Sequence, residues 1–224
     1  MEQLAKVLIY IHAFFGGIGL ISGLISIFVE KGGIVHRRSG TIFSYSMVIS
    51  ALLSLVVARI PNHENLFLFL IGVYTVYLVL AGNRTLTLKD KMKMSADITD
   101  KSISGIMLIT SILMLGIGIM QIIRQLPNGW LFVFFGAFGL FMTLKDFHTF
   151  KVFKEEKNAW LSSHLGRMVA ALIASITAFI VAGLSIQTFA AWISPTIIGI
   201  FYIMYWNRRI KNQLIPKLKK QETK

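Results

Sequence analysis

The sequence predicts an all-α fold, a polytopic transmembrane helix bundle of seven spans with its N-terminus outside and its C-terminus cytoplasmic. Three observations carry this. Of 224 residues, 55% are apolar and only 15% charged, whereas soluble domains run at about 25% charged residues. Seven apolar runs approach the ~20 residues that a helix rising about 1.5 Å per residue needs to cross the hydrocarbon. The basic residues alternate from one connection to the next. Together these exclude a soluble enzyme, a nucleic-acid-binding domain and a secreted disulfide scaffold, despite a net charge of +13. The absence of cysteine excludes thiolate catalysis, iron–sulfur ligation and disulfides.

The first run, Val7–Val29, closes at Glu30-Lys31-Gly32-Gly33. The second, Thr41–Ala58, stops at Arg59-Ile60-Pro61-Asn62, where proline and polar residues mark a turn. Leu66–Gly82 gives way to the polar stretch Asn83–Asp100, and Ile103–Ile123 ends at Arg124 and the turn Leu126-Pro127-Asn128-Gly129. The fifth run, Trp130–Leu144, continues as helix through His148 into the charged linker Lys151–Lys157. Leu161–Leu184 is the sixth, thinly separated by Ser185-Ile186-Gln187 from the seventh, Thr188–Trp206. Residues 1–206 thus form one seven-helix domain, and 207–224 form a basic cytoplasmic tail. Ile60-Pro61-Asn62 and Leu126-Pro127-Asn128 echo each other as outer turns, as an old hairpin duplication would.

Connections on one side, the start of the sixth span and the tail carry twenty of the 23 Lys and Arg; the other side carries three. Basic connections stay cytoplasmic, which sets the orientation and places the chain in the inner (cytoplasmic) membrane as a multi-pass protein. Trp130 at one edge and Trp160, Tyr205 and Trp206 at the other suit the interfacial positions of such aromatics. The N-terminus, with Glu2, a single Lys6 and no small-residue cleavage site, resembles neither a signal peptide nor a transit peptide. The expected partners are the lipid bilayer, a small ligand or membrane protein and a second copy of the chain, with no nucleic acid.

Polar residues inside spans are the candidates for chemistry. His12, Gly16, Gly19, Gly23, Ser26 and Glu30 share one face of the first helix, a surface of little bulk that serves either as a packing seam or as a ligand wall. At the inner side, His36, Arg37 and Arg38 lead into the second helix, and Gly40, Ser44 and Met47 continue the face of His36. His148 follows Lys145-Asp146, and His164 opens the sixth helix with Arg167 three residues on. His63 falls in an outer turn.

Two chemistries suit this set. His36 and His164, or other pairs among His12, His36, His148 and His164, would supply axial nitrogens to a haem b, with Arg37, Arg38 and Arg167 meeting its propionates. Alternatively His36, His148 and His164 would hold zinc with an open water position for lipid hydrolysis, Asp146 acting as base or supporting partner. A third reading is binding, transport or an accessory role for a small anionic or lipid ligand. Pro195 in the seventh span offers a broken helix, but no apolar run carries a mid-membrane carboxylate to couple to protons. Serine-nucleophile motifs, phosphate loops and dinucleotide fingerprints are absent.

The early histidine of the first helix and His36-Arg37-Arg38-Ser39-Gly40 entering the second resemble the His-Arg-x-x-Gly signature of an uncharacterised bacterial multi-pass membrane-protein family. Trp160-Leu161-Ser162-Ser163-His164-Leu165-Gly166-Arg167-Met168 resembles that family's second histidine motif, with His-Leu-Gly-Arg where a His-Arg pair is usual. The likeness spans about Ile9 to Tyr205. It implies the seven-span fold and weight on His36 and His164, and it implies no activity. A likeness to b-type haem membrane proteins exists at the level of fold alone.

Overall fold

A computed structural model describes residues 2–90, 92–156 and 158–222, with side chains described to residue 212. Seven helices account for nearly all of it: α1 (Glu2–Phe28), α2 (Ile34–Val57), α3 (Leu66–Arg84), α4 (Ile98–Ile123), α5 (Gly129–Val152), α6 (Ala159–Ala178) and α7 (Phe189–Glu222). A 3₁₀ turn, Thr85–Lys89, extends α3, and a π turn, Phe179–Gly183, closes α6. All seven are long and apolar enough to cross a membrane, and no strand is present among the described residues. The bundle is therefore that of a multi-pass membrane protein.

Helix ends differ from the apolar runs where polar residues are tolerated inside a helix. α2 starts at Ile34, so His36, Arg37 and Arg38 occupy its first turn. α4 begins five residues before its apolar run, because Asp97 and Asp100 form a capping box there. α5 continues eight residues past Leu144, to Val152. α7 continues past Trp206 through the basic tail as far as Glu222; the tail's side chains from residue 213 onward lie outside the described residues. The two Pro-Asn turns share a geometry, since Asn62 and Asn128 both adopt the left-handed conformation, φ 69° and 67°. Asparagine tolerates that region better than most side chains do.

In a bilayer, helices associate through close packing and hydrogen bonds rather than through the hydrophobic effect. The small face of α1 is such a packing seam within the chain. His12 Nδ1 donates to the Ser50 carbonyl over 2.8 Å, and a side chain at Gly16 would meet Ser50, at Gly19 Met47, and at Gly23 Phe43 and Leu172. Ser26 Oγ bonds Ser39 Oγ at 2.6 Å. α1 and α2 thus zip together antiparallel along their whole length, as α4 and α5 also pair closely.

α3 and α6 are central, each with half of its apolar span buried, against 17% for α1. Around them sit two apolar clusters. One gathers Phe43, Met47, Tyr77, Leu78, Met107 and Leu172. The other gathers Phe67, Leu70, Met114 and Phe132, with Phe135 and Trp192 packed against it. The connections α1–α2, α3–α4 and α5–α6 and the end of α7 lie together, and this is called the basic end below; the far end carries the Pro-Asn turns.

Candidate functional site at the basic end

Two polar groupings occupy the basic half of the bundle. The first joins α1, α2, α3 and α6. His36, in the first turn of α2, has Nδ1 3.1 Å from the Ser26 carbonyl oxygen of α1. His164 of α6 has Nδ1 2.9 Å from the Gly82 carbonyl oxygen of α3. A carbonyl only accepts, so each neutral ring carries its proton on Nδ1 and leaves the Nε2 lone pair unused. Ser44, two turns along α2 from His36, donates to Asn83 Oδ1 at 3.4 Å, beside the carbonyl that His164 engages. Lys31 closes the adjacent end of α1, donating to the carbonyls of Ser26, Ile27 and Val29 and standing 5.5 Å over the Trp206 ring. Burial lowers the Lys31 ammonium below the ordinary lysine value.

The remaining sequence candidates are dispersed. His12 is bound to Ser50, fourteen residues along α2 from His36, about 21 Å at helical rise. Arg37 and Arg38 are exposed. His148 is exposed too, two residues from buried Asp146 and so on the opposite face of α5. The set His36, His148 and His164 is not assembled, and no group of three His, Cys, Asp or Glu among the described residues stands close enough to hold a metal ion. Arg167 does not reach outward to meet an anionic ligand: it is 1% exposed and paired with Asp146.

That pair centres the second grouping, at the junction of α3, α4, α5 and α6. Asp146 Oδ1 accepts from the Arg167 guanidinium. Its Oδ2 accepts from Tyr77 Oη at 2.5 Å and from Ser104 Oγ at 3.0 Å. Arg167 also donates to the Met142 carbonyl at 2.7 Å. Asp146 is six residues, about 9 Å, inside the end of α5, and Arg167 eight residues, about 12 Å, inside the start of α6. A buried, ion-paired carboxylate therefore lies inside the fifth helix, beyond the end of its apolar run and nearer the basic end than the middle of the helix. The fifth apolar run ends at Leu144, where Lys145-Asp146 interrupts the hydropathy. The recoverable signal was helical spacing, because Met142, Asp146 and Thr149 are all buried on one face. Tyr74, Tyr77 and Ser104 carried no such signal.

Outside the spans, an ion cluster covers the mouth of this region. Arg84 bonds Asp100 at 2.6 Å and Asp97 at 2.7 Å; Lys93 bonds Asp97 at 2.8 Å and Asp100 at 3.0 Å. Hydrogen bonding from Lys93, then from Arg84, holds the Asp97 carboxyl below the usual carboxylate range. Partial burial opposes the charge on Lys93, but its bonds to Asp97 and Asp100 outweigh this and raise its ammonium above the ordinary lysine value.

No protein-family model matches this chain, and no characterised protein or solved structure is significantly similar to it. The resemblance to a His-Arg-x-x-Gly family rests on the quoted motifs alone.

Proposed function

We propose that this is an integral membrane electron-transfer protein that holds a haem b through Nε2 of His36 and His164, with the basic end on the cytoplasmic side of the inner membrane. The observation behind the reading is the shared hydrogen-bond state of the two rings, each donating Nδ1–H to a backbone carbonyl of a neighbouring helix. This leaves both Nε2 atoms for a ligand; the same bonds with no room between the rings would mark two packing histidines. Metal-bound imidazoles characteristically donate their other ring N–H in this way, which fixes the tautomer and the ring plane. Two rings on different helices at the same end of the bundle would hold a haem between them, whereas a zinc site would need further protein ligands. When bound, such a group supplies one-electron transfer. The protein's part is to present two nitrogens on helices locked by carbonyl bonds.

The test is the visible spectrum of the detergent-purified, haem-replete protein, oxidised and reduced, with iron, copper and zinc measured on the same sample. A Soret band that sharpens on reduction is expected, lost in His36→Ala and in His164→Ala and kept in His148→Ala. A colourless, iron-free protein overturns the reading. One observation favours a second reading in that event: Arg37 and Arg38 are exposed in the first turn of α2 next to His36, an arrangement suited to a small anionic or lipid-headgroup ligand.

A further inference from the structure

The Asp146–Arg167 centre lies one turn along α6 from His164, and its surroundings have features that a closed structural ion pair does not need. Arg167 Nε and Tyr74 Oη are fully buried and have no hydrogen-bond partner among the described residues. The Tyr74 ring lies 6.4 Å, centroid to centroid, from that of Tyr77, which bonds Asp146. Both orphan groups carry a proton to donate, so what completes them is an acceptor. Unpaired buried donors are costly, and polar groups in a packed interior are ordinarily satisfied by protein or by ordered water. Asp146 already neutralises Arg167, so an added anion would face an uncompensated carboxylate, whereas a water molecule accepts from both donors without adding charge.

On the other side of the pair, a cleft runs from Asp146 and Ser104, past Ala81 and Ile103, to Arg84 and Asp100 at the basic end. Its free volume, about 10 Å³, is that of a single water site. Towards the far end the route stops at Phe67, Phe132, Phe135 and Trp192, whose rings pack edge to face, 5.0 Å apart for Phe67 and Phe132.

We propose that the bundle holds ordered water on both sides of the Asp146–Arg167 pair, one molecule in the cleft beneath the Arg84–Asp100 pair and water at the unpaired donors Arg167 Nε and Tyr74 Oη. The arrangement is open to water from the basic end only. It does not depend on a haem at His36 and His164.

Radiolytic hydroxyl-radical footprinting in 18O water tests this on the intact protein, because buried side chains are modified only where ordered water lies beside them. Tyr74, Tyr77 and Met142 should be labelled several-fold faster than Met114, which is equally buried but lies in the apolar far cluster. Arg84→Ala, which uncovers the mouth without touching the core, should raise labelling at the three sites. Ser104→Leu, which fills the cleft, should lower it while leaving exposed Met92 and Met94 unchanged. Labelling of Tyr74, Tyr77 and Met142 no faster than Met114 overturns the proposal. Labelling insensitive to both substitutions overturns the entry route.

Discussion

Asp146 and Arg167 meet where neither charge has access to bulk water, so the pair is judged by what happens when half of it is removed. Its net worth against an apolar pair is small, but a lone buried charge is costly, by about 3–5 kcal/mol. Asp146→Ala should therefore lower thermal stability in detergent by that order. Combining it with Arg167→Met should restore most of the loss, since both charges then leave together. A single variant that melts with the wild type would mean that the pair does not carry the junction of α3 to α6. The ion cluster over the cleft behaves differently with pH because its members lie outside the spans. The Asp97 carboxyl is held low, so its contribution is complete above the ordinary carboxylate value, about 3.9, and is lost as pH falls through the lowered one. Lys93 is held high, so its contribution is complete below the ordinary amine value, about 10.4, and is lost as pH rises through the raised one. Between about pH 5 and 9 both terms are constant. Protection of the Asp97 amide, which donates to Asp100 Oδ2 at 3.0 Å, should be flat over that window by hydrogen exchange and should drop in Lys93→Ala.

Helices, taken one at a time, separate what the sequence discloses from what it withholds. Seven spans and the small face of α1 were legible, because hydropathy and a spacing of three and four are properties of one helix. That the face packs against α2 was not, since its partners Met47, Phe43 and Ser39 are named only by the antiparallel register. A Cβ at Gly23 would come within 2.8 Å of Leu172 and Phe43. Gly23→Ala should accordingly cost about 1–3 kcal/mol as overpacking, whereas Gly17→Ala, with nothing within 4 Å, should leave the melting temperature unchanged or slightly raised. Equal effects would remove the seam. The histidines divide in the same way. That His36 and His164 both open helices at the same end is legible in the sequence; that His148, at similar depth, faces away from buried Asp146 is not, because facing depends on how α5 is turned in the bundle. The bonds of Asp146 reach 21, 42 and 69 residues along the chain, far beyond any local pattern, and the hydropathy break at Lys145 hid that it points inward.

For the whole molecule, the asymmetry of basic residues argues that the basic end is cytoplasmic, and the lack of cysteine makes the argument easy to check. His63→Cys at the far end should react with an impermeant maleimide in intact cells, and Met94→Cys at the basic end only after the membrane is opened; the reverse pattern overturns the orientation. The chain order of the buried cluster has a consequence for biogenesis. Synthesis delivers Tyr77 on α3 and Ser104 on α4 before Asp146 on α5, and Arg167 on α6 comes 21 residues later still, about 1–4 s at ordinary rates of translation. The carboxyl is thus made before its counterion but after its two hydroxyl donors, so until the guanidinium follows, the partners available to the acid are neutral ones.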